Sequence, residues 1–162
     1  MMKILGFLAC AVSLSLFSAR YNAGWRRRAE LICSLLDTVE HIRDRTAVFP
    51  DTQENIISEY APKDAVGQAV KEALLAYYRT GEGEIIPKDL APFADTADRE
   101  CFLRFIKELG TGSLDDEVKR TKQMHGYLSE RRGQINADCD KTKRLSLTLT
   151  ACALGGLLML VL

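Results

Sequence analysis

Residues 145–162, LSLTLTACALGGLLMLVL, form an uncharged stretch of 18 residues at one end of the chain. About 17 to 25 apolar residues are enough for a helix to cross a bilayer. Ser146, Thr148 and Thr150 do not oppose insertion, because such hydroxyls can bond to carbonyls of their own helix. The stretch is apolar on every side, which favours a membrane over a soluble core. It predicts a C-terminal transmembrane helix.

A second apolar stretch, ILGFLACAVSLSLFSA, covers residues 4–19. As a helix it is about 24 Å long, and it reaches a span of about 30 Å only by extension to Trp25. Tyr21 and Trp25 then lie at the membrane interface, as aromatic residues often do. The alternative is a secretory signal peptide in which Lys3 precedes the apolar region, although a clean A-x-A cleavage site is missing. We predict a retained anchor over residues 1–25.

Apart from Lys3, the charged side chains lie in the middle of the chain. All 22 Asp and Glu residues, and every Lys and Arg except Lys3, lie within residues 20–144. The net charge of zero gives no general attraction to nucleic acid. The five cysteines form no CxxC pair, which argues against a disulfide framework or a zinc module. We therefore expect three parts: an anchor, a charged domain over residues 26–144, and the C-terminal helix.

Basic residues flank both apolar stretches on the side of the charged domain. By the positive-inside rule, they predict that this domain faces the cytoplasm and that both termini lie across the membrane. The three consecutive arginines also suit anionic lipid headgroups. The candidate membrane-surface residues are Arg20, Arg26, Arg27, Arg28, Lys141, Lys143 and Arg144.

The spacing of apolar residues predicts helices and no strands in the charged domain. The first helix runs from Tyr21 to Val48 and ends before Pro50. Asp51 and Glu54 form a capping box that starts a short helix. The buried stripe of the first helix is predicted to contain Leu31, Leu35, Val39, Ile42 and Thr46.

Turn signals divide the rest of the domain. Pro62 is predicted to open a third helix that stops at Gly81. Residues 84–94 look irregular, and Asp95 or Thr96 caps a fourth helix to Leu109. That helix is predicted to bury Cys101, Phe102, Phe105, Ile106 and Leu109, and Gly110 to follow it as a C-terminal cap.

Ser113 with Asp116 caps a last helix that has no proline before Leu162, so it is expected to run into the span over about 73 Å. This helix is predicted to bury one narrow stripe, which we call its seam and which Arg132 interrupts. The seam residues are Val118, Thr121, His125, Leu128, Ile135, Cys139 and Thr142. The expected fold is therefore all-α: a bundle of about five helices between an N-terminal and a C-terminal transmembrane helix.

Reactive side chains are few. Cys33, Asp37 and His41 follow one another at intervals of four, but three ligands from a single helix make a weak metal site. The ordinary interpretation is a core cysteine beside a solvated Asp–His pair, and no oxyanion hole accompanies them. We predict no catalytic, cofactor or metal site, and hence a protein that is not an enzyme.

The C-terminal span contains small residues four positions apart. Such pairs let transmembrane helices approach closely. The candidate packing residues of the span are Ala151 with Gly155 and Cys152 with Gly156.

Three stretches carry a resemblance to a known family: WRRRAELICSLLDTVEHI at 25–42, LGTGSLDDE at 109–117 and ALGGLLMLVL at 153–162. Together with the two apolar ends, this layout resembles the stage III sporulation protein AB family of endospore-forming bacteria over the whole length. The family is similar to the cytoplasmic helical domains of the type II secretion platform protein F.

The resemblance implies a non-enzymatic scaffold in the secretion-like channel complex between the mother cell and the engulfed forespore. The expected location is the mother-cell membrane around the forespore. The expected partners are other stage III sporulation proteins, including a secretion-type ATPase, with no nucleic acid. The alternative is an exported or membrane-tethered helical protein-binding module whose signal peptide is cleaved.

Overall fold

The computed structural model describes residues 2–46 and 52–161, except for the side chains of residues 2–11, 14, 15, 17, 154 and 157–161. Within these residues the fold is entirely helical and contains no strand, which confirms the all-α prediction. The helices are α1 (Met2–Thr46), α2 (Gln53–Glu59), α3 (Ala65–Thr80), α4 (Thr96–Glu108) and α5 (Leu114–Val161), with a short 3-10 helix at Ala91–Phe93.

The chain divides into two compact units. Unit 1 comprises Met1–Arg26 and Gln134–Leu162, and unit 2 comprises Arg27–Gly133. The long helices α1 and α5 contribute residues to both units. The first division falls next to the predicted end of the anchor, whereas the second falls well before the predicted boundary at Arg144.

Helix α1 is one continuous helix of 45 residues rather than an anchor followed by a separate helix. The only helix-weakening residue between its two parts is Gly24, which costs about 1 kcal/mol relative to alanine and does not break a helix. The predicted stripe is confirmed, since Leu31, Leu35, Val39, Ile42 and Thr46 are all buried. The predicted helix end at Val48, the stop at Pro50 and the capping box of Asp51 lie outside the described residues.

Helix α3 begins later than predicted. Its N-cap is Asp64, whose carboxylate accepts a hydrogen bond from the Gly67 amide at 2.6 Å. Pro62 therefore precedes the cap instead of opening the helix, because the Asp64 side chain satisfies an amide of the first turn. The helix ends as predicted at Gly81, which has a φ of 71° that favours glycine.

Gly67 is buried where α3 begins, and replacing it by alanine is expected to destabilise the protein by about 1–3 kcal/mol. A Cβ at this position would lie 2.9 Å from Pro62 Cβ and 3.1 Å from Ser34 Oγ. The free energy of unfolding of the full chain in detergent, measured by urea titration, checks this. Gly126→Ala is the matched control, because nothing lies within 4 Å of its added Cβ. Equal effects of both substitutions would contradict the predicted crowding.

The segment between α3 and α4 is irregular, as predicted, but it contributes to the core. Ile85, Ile86 and Leu90 are each at most 5% exposed. Sequence reasoning missed this contribution, because the two prolines in this segment hide any periodic spacing. These buried side chains hold the segment against the rest of unit 2, just before α4 begins.

The beginnings of α4 and α5 differ in how their caps are made. Ser113 accepts a hydrogen bond from the Asp116 amide at 3.3 Å and donates its hydroxyl to the Asp116 carboxylate at 2.7 Å, which confirms the predicted cap. Asp95 occupies the N-cap position of α4, but its side chain makes no capping bond. That carboxylate instead pairs with Arg28 and Arg131.

Helix α5 runs unbroken for 48 residues, as predicted. In two turns of this helix, the buried residue is the one directly before the predicted seam residue. Glu117 and Met124 are buried, whereas Val118 and His125 are half-buried. Neighbouring residues lie on the two sides of a narrow helical stripe, so apolar character alone does not select between them.

Candidate functional site

Among the described residues of unit 2, Asp98 is the best-buried charged residue, with an exposure of 0%. Its Oδ1 accepts hydrogen bonds from the Tyr127 hydroxyl at 2.7 Å and from Arg131 Nε at 2.9 Å. Arg131 Nη2 donates to the other carboxylate oxygen at 3.1 Å, so the guanidinium holds the carboxylate through two bonds. A buried charge requires such partners, because desolvation without them is costly. These contacts join α4 to α5.

Asp95 extends this group to α1. Its carboxylate accepts from Arg131 Nη2 at 2.5 Å and pairs with the guanidinium of Arg28. We call Arg28, Asp95, Asp98, Tyr127 and Arg131 the Asp98 cluster. The two aspartates are one helical turn apart at the beginning of α4, which lets one arginine contact both. The cluster therefore ties three helices together within unit 2.

The electrostatics of the Asp98 cluster are consistent with a fixed ion-pair network. Burial, followed by the hydrogen bond to Asp98, raises the pKa of Tyr127 to about 12. The hydrogen bond to Asp98 raises the pKa of the Arg131 guanidinium. These shifts keep the Tyr127 hydroxyl neutral and the Arg131 guanidinium charged over the physiological range.

Replacing Tyr127 by phenylalanine is expected to weaken the alkaline pH dependence of stability. A tyrosine whose pKa is raised in the folded state stabilises the protein below the unfolded value of about 10. This stability is lost as the pH rises toward 12. The free energy of unfolding between pH 9 and 12, measured for both proteins, should therefore fall less steeply in Tyr127→Phe. Parallel curves would contradict the assignment.

Sequence reasoning assigned no structural contact to Asp98, Tyr127 or Arg131, although a signal was present. Asp98 lies four residues before Phe102, on the stripe that α4 buries. A charged residue at a stripe position requires a buried partner of opposite charge. Arg132, which was predicted to interrupt the buried stripe of α5, is exposed, and Arg131 makes the contacts instead.

The candidate membrane-surface residues fall into two groups. Arg27 lies over the Phe93 ring at 5.9 Å, and Arg28 belongs to the Asp98 cluster, so both have contacts within unit 2. Lys141 is exposed and lies 3.7 Å from Asp138. The remaining members are exposed and lie in unit 1: Arg20, Arg26, Lys143 and Arg144.

Cys33, Asp37 and His41 are not brought together around a common point. His41 Nε2 donates to the Ile56 carbonyl at 3.0 Å, and its ring lies 5.2 Å from that of Tyr60. Burial raises the pKa of the Cys33 thiol, which disfavours the thiolate that a metal or a nucleophilic reaction needs. Among the described residues, no group of three or more His, Cys, Asp and Glu side chains is arranged to hold a metal.

Unit 1 exposes large apolar side chains. Leu145, Leu147 and Leu149 are 63%, 73% and 68% exposed, and on α1 Val12 and Leu16 are 55% and 62% exposed. Within the described residues, none of the helices has both the length and the apolar character that a membrane crossing requires. Exposed apolar patches are typical of surfaces that contact another protein or a membrane.

The hydroxyl groups among these leucines are satisfied inside the protein. Ser146 is hydrogen-bonded to Ser18 of α1. Thr148 donates to the Arg144 carbonyl at 2.9 Å and Thr150 to the Ser146 carbonyl at 2.8 Å. The expectation that Thr148 and Thr150 bond back to their own helix is thus confirmed.

The small residues of the C-terminal stretch do not lie in a packed contact within the described part of the chain. Ala151, Cys152, Gly155 and Gly156 are exposed, and a Cβ at either glycine would meet nothing within 4 Å. The face of α5 with reduced exposure contains Thr142, Ser146, Thr150 and Ala153. Packing through the small residues stays a prediction.

Comparison with known proteins leaves the family open. No protein-family model matches the chain, and neither a curated protein nor a solved structure matches it. The resemblance to the stage III sporulation protein AB family stays a prediction that rests on the stretches quoted above.

Proposed function

We propose that the chain is a non-enzymatic scaffold of the secretion-like channel complex between mother cell and forespore. Both ends anchor it in the mother-cell membrane around the forespore, and unit 2 faces the cytoplasm. The resemblance in three stretches of sequence suggests the complex. The two apolar ends and their basic flanks suggest the membrane and the orientation.

The observation that carries the membrane part of the proposal is the surface of α5 between Leu145 and Thr150. Its leucines are exposed, while the three hydroxyl groups between them are bonded to Ser18 or to carbonyls of α5. A surface that presents apolar groups and hides its polar ones suits hydrocarbon, where unsatisfied polar groups are costly. Lys141, Lys143 and Arg144 come directly before this surface, as expected at a cytoplasmic interface.

Retention of the N-terminal segment is supported by the contact between Ser18 and Ser146. Signal-peptide cleavage near residue 19 would remove Ser18 and leave the Ser146 hydroxyl without this partner. N-terminal sequencing of the mature protein tests retention. A start at Met1 or Met2 supports the anchor, whereas a start after Ser18 favours the exported helical binding module.

The proposed mechanism is mechanical coupling between a platform partner and the membrane. The Asp98 cluster fixes α1, α4 and α5 in unit 2, so that the unit responds as one body. Helix α5 continues from unit 2 into unit 1 without a proline, and a helix without a hinge can transmit displacement. The proposed partner of unit 2 is the secretion-type ATPase of the complex or another platform protein.

The test of the proposed function is deletion of the gene in its source organism, followed by a count of heat-resistant spores. We expect a large loss of spores, which a plasmid copy restores, and normal vegetative growth. The complementing protein should remain in the membrane fraction after a carbonate wash. Normal spore numbers in the deletion strain would refute the sporulation role, and release by carbonate would refute the anchoring.

A further inference from the structure

A groove lies between α1 and α5 within unit 1. It has a volume of about 370 Å³, within the range of small-ligand sites. Its walls are largely apolar, and its hydroxyl groups include the bonded pair Ser18 and Ser146. The lining residues are Ser18, Tyr21, Thr142, Leu145, Ser146, Leu149 and Thr150.

The two helices run antiparallel along this groove. Ser18 contacts Ser146, and Tyr21 and Thr142, which come one turn later and one turn earlier in the sequence, line the groove together. This register brings Arg20 of α1 to the same level as Lys143 and Arg144 of α5. Three basic residues therefore lie near one end of the apolar groove, with Asp140 about one turn further along α5.

The three basic residues at this end are available to a ligand. In the part of the chain that the structure describes, Arg20, Lys143 and Arg144 are exposed and lack an acidic partner. Lys141 is only loosely paired with Asp138, at 3.7 Å. The Thr142 hydroxyl, at the same end, also makes no hydrogen bond within the described residues. We call Arg20, Lys143 and Arg144 the basic collar.

We propose that this groove binds one anionic phospholipid, with an acyl chain between α1 and α5 and the phosphate on the basic collar. Thr142 donates its hydroxyl to a phosphate or ester oxygen. The inference rests on the proposed membrane location, because only there is the groove immersed in lipid. Each basic residue near a membrane surface adds to the attraction for anionic lipid.

A second copy of this chain fits the groove less well than a lipid does. Two copies inserted with the same orientation bring their basic collars to the same depth of the membrane. Like charges that face each other across an interface oppose association. An anionic headgroup neutralises the collar instead.

The test uses the fluorescence of one tryptophan introduced by Leu16→Trp, an exposed position of α1 two residues before Ser18, in a chain whose native Trp25 is replaced by phenylalanine. The full chain is reconstituted into phosphatidylcholine vesicles that contain a fixed fraction of brominated lipid, either phosphatidylglycerol or phosphatidylcholine. Bromine quenches tryptophan only at close range. We expect an apparent preference of about tenfold for the anionic lipid.

Three variants separate the groove from general electrostatics. Lys143→Gln with Arg144→Gln removes collar charge, and Thr142→Leu fills the groove and removes its hydroxyl. Thr148→Leu is the matched control, because Thr148 is exposed outside the groove and bonds to its own helix. We expect the preference to be lost in the first two proteins and retained in the third.

Four results would overturn the proposal. A preference for the anionic lipid that survives Thr142→Leu indicates general attraction to the basic protein surface rather than binding in the groove. Quenching that changes with protein dilution in the bilayer indicates a second copy in the groove. Equal quenching by both lipids would refute the lipid site but not the scaffold function, provided that the protein stays in the membrane fraction after a carbonate wash. Failure of the protein to insert into the vesicles would refute both the lipid site and the membrane scaffold.

Discussion

Replacing Asp98 by alanine is expected to lower the free energy of unfolding by about 3–5 kcal/mol. The carboxylate is buried and accepts from Tyr127 and twice from Arg131. Its removal leaves a guanidinium and a phenol hydroxyl without their main acceptor in a poorly solvated place. Urea titration of the full chain in detergent, followed by helical circular dichroism, measures the effect.

The matched control for this substitution is Asp95→Ala. Asp95 pairs with the same Arg131, but its side chain is 45% exposed, so solvent screens the interaction. We expect a cost of about 1 kcal/mol or less. Replacing Asp98 and Arg131 together by leucine should cost less than Asp98→Ala alone, because no buried charge is then left unpaired. An Asp98→Ala effect no larger than that of Asp95→Ala would contradict the structural role of the Asp98 cluster.

Replacing Gly126 by proline is expected to cost about 3 kcal/mol or more locally and to abolish function without loss of membrane targeting. Position 126 lies within α5, so proline removes a backbone hydrogen bond and clashes with the preceding turn. If α5 carries displacement toward the membrane, a break there uncouples the bundle from its anchor. In strains that carry the variant, spore counts measure function and membrane fractionation measures targeting.

Gly126→Ala is the control for this break. Gly126 has no positive φ and nothing within 4 Å of an added Cβ, so alanine is expected to stabilise the helix by about 1 kcal/mol. Gly133 has the same open surroundings and provides a second pair of variants. Normal spore formation with proline at either position would count against mechanical coupling, whatever the stability of the protein.

The fold was largely predictable because its signals are local. The spacing from Leu31 to Thr46 gave the buried face of α1, and Ser113 with Asp116 gave the start of α5. The start of α3 was mispredicted, because the Asp64 side chain outcompetes the proline signal two residues earlier. Cap choice depends on which side chain reaches a free amide, which composition does not reveal.

The Asp98 cluster was not predicted, because its contacts join residues about 30 positions apart or more. Asp98 and Arg131 are each unremarkable in a chain with so many charges. Only the packing of α4 against α5 brings them within 2.9 Å. The same reason explains Arg28, which the sequence marks as a membrane-facing residue and which also pairs with Asp95. Long-range ion pairs require the tertiary arrangement.

The most direct test of a cytoplasmic bundle anchored at both ends is cysteine labelling from outside intact, non-sporulating cells that express the protein. The five native cysteines are replaced, and one cysteine is placed either at exposed Lys88 or after Leu162. A membrane-impermeant maleimide should label the cysteine after Leu162, and should label position 88 only after permeabilisation. Labelling of position 88 in intact cells would place the bundle outside and contradict the proposed orientation.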